Sequence, residues 1–371
     1  MILRKIKISE LSALTQSADY KSWKQLPISP ARAYSQSVNP YAHPDDIALV
    51  IALGDGSNEL LAYAGAYPSK MDHNDSVRYA WNTCWWVADG VGGDVAMNVF
   101  ISFLQTWEKK VAFSDMTEKT FKIVRSLGFC HTMQREGFVI NIRPGISSRL
   151  RSFCISKRKM SFVARPLLLT GIPWITDQLS EIAWLISRQF SSRRNEKTEP
   201  VILDFPVEKD FEFMRKYGNN SFHIPVSGEL KLPSWLVRPD RENNFLREKY
   251  HFSSFAFRFS TFWLRWENEG ITNALLMVSL KDGVLKTLYS YCSEEFQTKF
   301  PSLLMDYCMS TSQIRTLITA QPSIVDYVSQ NKFFILSRKQ FTRYSAVSND
   351  LLKHFENYPL MQDGDGDYKF T

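Results

Sequence analysis

The stretch SVRYAWNTCWWVADGVGGDVAMNVFISFLQTWEKK, residues 76–110, decides how this chain folds. Ser76 to Val87 is rich in aromatic and β-branched side chains and reads as a strand. From Asp94 to about Lys110, apolar residues recur at helical spacing and predict an amphipathic helix. Between the two lies Asp89-Gly90-Val91-Gly92-Gly93. A glycine turn at a helix start presents backbone N–H groups where the helix dipole is positive, which suits an anion such as a pyrophosphate. It serves equally as a bare connection between two elements. Gly90-x-Gly92-Gly93 lacks the spacing of GxGxxG, and no GK[ST] follows, so neither a Rossmann fingerprint nor a P-loop is present.

Outward from this unit the pattern stays regular. Asp46 to Leu53 and Leu60 to Tyr67 are apolar runs separated by GDGSNE, and Asp55-Gly56 supplies the positive φ of a tight turn, so they predict adjacent antiparallel strands. Ile2 to Ile8 reads as an edge strand, followed by irregular helix to about Tyr34. Downstream come a short strand at Val111 to Asp115 and a helix opened by Thr117. Gly128 of Leu127-Gly128-Phe129 suits its left-handed cap, and a strand at Gly137 to Ile142 is expected to close the domain. Residues 147–200 change character: Arg149, Arg151, Lys157, Arg158, Lys159 and Arg165 make a basic linker, with one helix at Asp177 to Phe190.

The second half repeats the order of the first. Phe259 to Glu267 and Ala274 to Leu280 form a hairpin, Val284 to Tyr291 follows, and a helix spans about Phe296 to Met309. A strand at Ile314 to Thr319, a helix opened by Pro322, and strands in Phe333 to Leu336 and toward the C-terminus complete the copy. The closing MQDGDGDYKFT is too short for an EF-hand loop and reads as an acidic turn.

Composition narrows the function. A chain of 371 residues suggests two domains at about 150 residues each. The formal charge of +7 suits anionic small molecules but falls short of a dedicated nucleic-acid binder, and it is not concentrated among the aromatic clusters. Five scattered cysteines, without CxxC, indicate neither a zinc site nor a disulfide framework and fit a reducing, cytoplasmic setting. The N-terminus lacks a signal peptide's apolar core, and the longest apolar stretch, interrupted by Arg165, Pro166 and Pro173, is too short to span a membrane. GxSxG, HExxH and clustered metal ligands are absent, which argues against a hydrolase or a metalloenzyme.

In their order and spacing, these motifs resemble the GNAT superfamily of acyl-CoA-dependent N-acetyltransferases. The hairpin Asp46 to Tyr67 is similar to the family's second and third strands, and Tyr79 to Val87 to its fourth. Gly90 to Gly93 matches its pyrophosphate loop, and Thr117 to Phe129 its helix with an LGF ending. The likeness covers residues 1–145 by motif and about 200–371 by strand order alone. It implies an α/β fold of the α+β type with two tandem GNAT-like domains, each a mixed, mostly antiparallel sheet flanked by helices. Residues 1–146 would bind acyl-CoA, 147–200 would be the linker, and 201–371 a degenerate copy. The first sheet would splay between its fourth and fifth strands to take acetyl-CoA as acyl donor. The backbone of Trp86, Val87 and Ala88 would pair with the pantetheine, and an N–H near Val87 would steady the thioester oxyanion. The N–H groups of Gly90, Val91, Gly92, Gly93 and Asp94 would face the pyrophosphate.

The chain departs from the family at several points. Asp94 places a negative charge at the loop, the position of the family's tyrosine acid is Val124, and the second copy has Ser293-Glu294-Glu295-Phe296-Gln297 where a glycine loop would be. The candidates for proton transfer are His131, whose ordinary pKa lies near neutrality, Asp115 at the end of the fifth-strand equivalent, and Tyr327 on the Pro322 helix. The expected activity is transfer of an acyl group, acetyl foremost, to an amine of a small molecule such as an amino sugar or amino acid. No nucleic acid, metal or membrane span is expected, and the oligomeric state stays open. Two alternatives stay open as well: a non-catalytic binding or scaffold protein, and an aminoacyl transferase resembling the Fem family, which also pairs GNAT-like halves.

Overall fold

The computed structural model describes residues 1–71, 77–143, 175, 199–218, 221, 259–331, 337–355 and 360–365. The expected linker helix, Phe333 to Leu336 and the last six residues lie outside them. Two compact units emerge: unit 1 comprises Met1–Arg135, Phe205–Ser260 and Thr342–Thr371, and unit 2 comprises Glu136–Asp204 and Thr261–Phe341. Each is a mixed, mostly antiparallel sheet with helices, as the resemblance implies.

In unit 1, β1 (Ile2–Lys7), β2 (Ile47–Leu53), β3 (Leu60–Lys70) and β4 (Arg78–Val87) run antiparallel in sequence order. β5 (Val111–Met116) lies parallel to β4. On one face, α1 (Leu11–Gln16), α2 (Ala18–Ser22) and α3 (Pro30–Ser37) enclose Leu11, Leu14, Tyr20, Leu49, Ile51 and Tyr63 in a common core. Ser29 caps α3 by accepting from the Arg32 N–H at 3.1 Å. On the other face, α4 (Gly93–Thr106) buries Val99, Phe100 and Phe103. Five alanines of β2, β3 and β4 (Ala52, Ala62, Ala64, Ala66, Ala80) form the floor beneath them. Small residues below and large ones above let helix and sheet approach closely, and each phenylalanine so buried stabilises the fold by about 2–3 kcal/mol.

α4 ends at Thr106, short of the expected Lys110, because Glu108 and Lys109 take φ of 50° and 59° and turn the chain into β5. Next, α5 (Glu118–Ser126) is capped by Thr117, whose Oγ1 accepts from the Thr120 N–H, and Gly128 has the expected left-handed φ of 71°.

Contrary to expectation, the strand after α5 does not close its own domain. β6 (Cys130–Asn141) starts seven residues earlier than Gly137, and its far half, Phe138 to Asn141, pairs with β11 (Thr316–Thr319) in unit 2. Phe138 and Ile140 lie in the unit 2 core, which fixes that destination. The sixth strand of unit 1 is instead β12 (Ser337–Ser348), with Tyr344, Ala346 and Val347 opposite Met116, Phe113 and Ala112. Ser348 Oγ accepts from the Val111 N–H at 3.1 Å and caps the short α9 (Asn349–Leu352). The compact units are therefore discontinuous in sequence, unlike the contiguous 1–146 and 201–371 division.

The rest of unit 2 has β7 (Val201–Leu203) and β8 (Phe259–Asn268) antiparallel, then β9 (Ile271–Lys281), then β10 (Val284–Cys292). β10 is parallel to β11. Leu304, Met305 and Cys308 of α7 (Phe300–Ser310) and Ile324 and Val328 of α8 (Pro322–Gln330) fill its core. One further helix, α6 (Glu208–Tyr217), belongs to unit 1.

The acidic turn at the C-terminus has a structural task. Asp363, 1% exposed, places Oδ1 3.3 Å from Arg135 Nη2 and 3.6 Å from Arg343 Nη1, tying the segment to β6 and β12 within unit 1. Burial pushes the pKa of Arg135 down, Asp363 opposes this, and the neighbouring Arg343 adds to the fall. Asp363→Ala is expected to cost about 3 kcal/mol of unfolding free energy in urea titrations, because the buried Arg343 and the partly buried Arg135 lose a shared carboxylate. Gly137→Ala should cost about 1–3 kcal/mol by the same measurement, since a Cβ there meets the Phe341 ring and stands 2.7 Å from the Thr319 backbone oxygen.

Candidate functional site

The site begins where two parallel strands part. β4 and β5 pair at Ala80↔Val111, Trp81↔Ala112 and Asn82↔Phe113 and no further, although β4 runs on to Val87 and β5 to Met116. Each strand is irregular at the fork. In β4 the register with β3 shifts at Thr83, and Asn82 Nδ2 secures the bulge by donating to Gly65 O at 3.2 Å and Cys84 O at 3.1 Å. In β5 Asp115 has φ of 52°, and the pairing with β12 slips there. Aspartate is among the residues that tolerate this left-handed conformation.

Beyond the fork, β4 offers backbone groups to the opening. The Ala88 N–H donates to Leu61 O at 2.8 Å. Because N–H directions alternate along a strand, those of Val87 and Trp85 point away from β3, toward the gap. The Trp85 ring stacks on Phe100 at 4.4 Å, and its Nε1 donates to Ala96 O at 3.2 Å, which fixes the start of α4 against the strand.

The glycine loop completes the arrangement. Gly90 has φ of 81°, the Val91 N–H closes a turn onto Ala88 O at 3.2 Å, and Gly92 is the N-cap of α4. No side chain caps this helix, and Gly90, Gly92 and Gly93 are exposed, so its first-turn N–H groups face outward. A Cβ on Gly90 or Gly93 would meet nothing within 4 Å, leaving the backbone open to approach. A Cβ on Gly92 would collide with Asp94 Oδ1, so the Asp94 carboxylate is folded back against the loop. The loop thus fits an anionic ligand in its backbone and opposes one in its single acid.

The remaining expected residues are placed as follows. Trp86 stacks on Tyr63 at 5.2 Å and faces α1 to α3, while Val87 faces α4. Asp115 is exposed at the end of β5, and His131 is half-buried on β6. Its neighbour Cys130 has its thiol pKa pushed far up by burial, which keeps it protonated and unreactive. Val124 is fully buried in the α4 core and carries no proton to give. Tyr327 belongs to unit 2, where burial and then Asp306 of α7 push its pKa up, and a hydrogen bond with Ser302 opposes this. The hydroxyls next to the fork, Thr83 and Ser114, escaped the sequence reading; nothing but their position after the last paired residues marks them. Among the described residues no group of three or more His, Cys, Asp or Glu is placed to hold a metal, and no helix is long and apolar enough to cross a membrane.

No protein-family model matches the chain, and no curated protein matches it significantly. Solved structures that resemble it include a conserved protein of unknown function from Enterococcus faecalis, 12% identical over 96% of this chain and 74% of that one, TM-score 0.48. A GCN5-related N-acetyltransferase from Kribbella flavida is 13% identical over 93% and 70%, TM-score 0.46. Another from Sphaerobacter thermophilus is 8% identical over 94% and 96%, TM-score 0.43. By its own strand order and its splayed parallel pair, this chain has a GNAT-like fold.

Proposed function

We propose that the chain is an acyl-CoA-dependent N-acyltransferase that moves an acyl group, acetyl foremost, onto an amine of a small molecule such as an amino sugar or amino acid. One observation carries the reading: the opening between β4 and β5 in unit 1 ends at an uncapped, exposed glycine loop. A strand edge left unpaired inside a sheet offers a pantetheine arm the hydrogen bonds that a neighbouring strand would otherwise take. The loop's N–H groups then meet the pyrophosphate, and the Val87 N–H, aimed into the gap, stabilises the oxyanion formed when an amine attacks the thioester. Unit 2 carries Glu294 and Glu295 in the equivalent place, which repel a pyrophosphate, so donor binding is assigned to unit 1.

Asp94 favours a second reading. A carboxylate against Gly92 stabilises the helix start and weakens anion binding, as in a GNAT-like binding module without turnover.

Calorimetric titration with acetyl-CoA separates the two. The wild-type chain is expected to bind, and Gly92→Trp, which fills the loop, to abolish binding. Asp94→Asn should tighten binding about threefold to tenfold at low salt, with the gain shrinking as ionic strength rises, while lowering stability by about 0.3–1 kcal/mol. Absence of any wild-type binding heat at about millimolar acetyl-CoA, the weak end of typical substrate KM values, would sink the acyltransferase reading.

A further inference from the structure

Both units place a pair of hydroxyl residues at the same point, immediately beyond the last parallel strand contact. In unit 1 that contact is Asn82↔Phe113, followed by Thr83 and Ser114. In unit 2 it is Lys286↔Ile318, followed by Thr287 and Thr319. In unit 2 the two side chains bond to each other: Thr287 Oγ1 donates to Thr319 Oγ1 at 3.0 Å, and both residues are fully buried. Thr319 Oγ1 also accepts from the Gln321 N–H at 3.2 Å, so this fork is latched.

In unit 1 the same positions are unlatched. Thr83 turns its hydroxyl to Cys84 Sγ at 3.7 Å, on the Gly65 side of the strand. Ser114 Oγ is buried and has no hydrogen-bond partner among the described residues. A buried hydroxyl in that condition is unfavourable until something pairs with it, and here it stands where the two strands part. Phe113 packs under α4, so the alternation of a strand turns Ser114 to the opposite face. A donor held at the N-terminus of α4 arrives from the α4 side, which leaves Ser114 facing the incoming acceptor.

We infer that Ser114 is the catalytic hydroxyl of unit 1, relaying a proton from the attacking amine to the departing CoA sulfur; this rests on the acyltransferase reading above. The uncharged amine nitrogen attacks the thioester carbon, the C–N bond forms, and the C–S bond breaks with its electron pair left on sulfur. Ser114 Oγ takes the N–H proton as its own proton passes to that sulfur, so serine ends unchanged and the products are an amide and free CoA. The relay supplies the proton that the side chain of Val124 cannot. The latched fork of unit 2 admits no donor, which sets the stoichiometry at one acyl-CoA per chain.

The test uses the full chain, with acetyl-CoA calorimetry and free-CoA release measured over a panel of amino sugars and amino acids. Ser114→Ala should bind one acetyl-CoA with affinity within about twofold of wild type, yet lose about 100-fold in kcat with little change in the KM for acetyl-CoA. Ser114→Thr, which recreates beside Thr83 the threonine pair that latches unit 2, should weaken acetyl-CoA binding relative to both wild type and Ser114→Ala. A merely structural serine would move binding or melting temperature and leave no such split. The relay is overturned if Ser114→Ala turns over within about threefold of wild type, a smaller loss than proton-transfer catalysis supplies, or if the wild type binds acetyl-CoA but releases no CoA with any amine. Two acetyl-CoA bound per chain would overturn the latch. A wild type that binds none removes the acyltransferase reading itself, and the relay with it.

Discussion

Parallel pairing between β4 and β5 lasts three residues, and the arrangement of unit 1 follows from where it stops. Continuing the ladder would have satisfied the backbone of both strands and left a closed sheet. Stopping it leaves N–H groups of β4 directed at a gap, a cost that only an incoming partner recovers. The bulge at Thr83, the left-handed Asp115 and the Trp85 stack on Phe100 all enforce the parting. The alanine floor beneath α4 keeps the helix close, so its uncapped end stands at the far end of the same gap.

Unit 2 shows what happens when the same topology is kept and the opening is given up. Its parallel pair also spans three residues, and a threonine hydroxyl bond then bridges the fork. Its loop carries two glutamates where unit 1 has glycine. Burial pushes the Cys292 thiol pKa up to about 12, and Tyr327 is likewise held protonated, so neither thiolate nor phenolate chemistry is at hand near neutral pH. The two units therefore differ less in fold than in a few side chains at equivalent stations.

Much of this was legible in the residues. The hairpin turn, the glycine loop, the Thr117 cap and the left-handed Gly128 are local signals, each set by a backbone conformation that a few residue types supply. Strand exchange was not legible, because the alternation in Gly137 to Ile142 says that one face is buried and nothing about which sheet buries it. Asp363 looked like an exposed turn acid because its arginine partners lie 20 and 228 residues away. Ser114 carries no local signal for a related reason: a serine in a strand is unremarkable until the register puts it at a fork.

The exchanged strands also bear on how the polypeptide acquires its structure. β5 is made well before the strand that flanks it, and the Ser348 hydroxyl that engages Val111 follows 237 residues later. The first half leaving the ribosome therefore carries an open sheet edge and a projecting β6 that has nowhere to pair. Long sequence separations of this kind slow folding, and unpaired edges invite association in the meantime. Completion of the two units is thus coupled through the order of translation: neither half finishes its sheet before the other has been made.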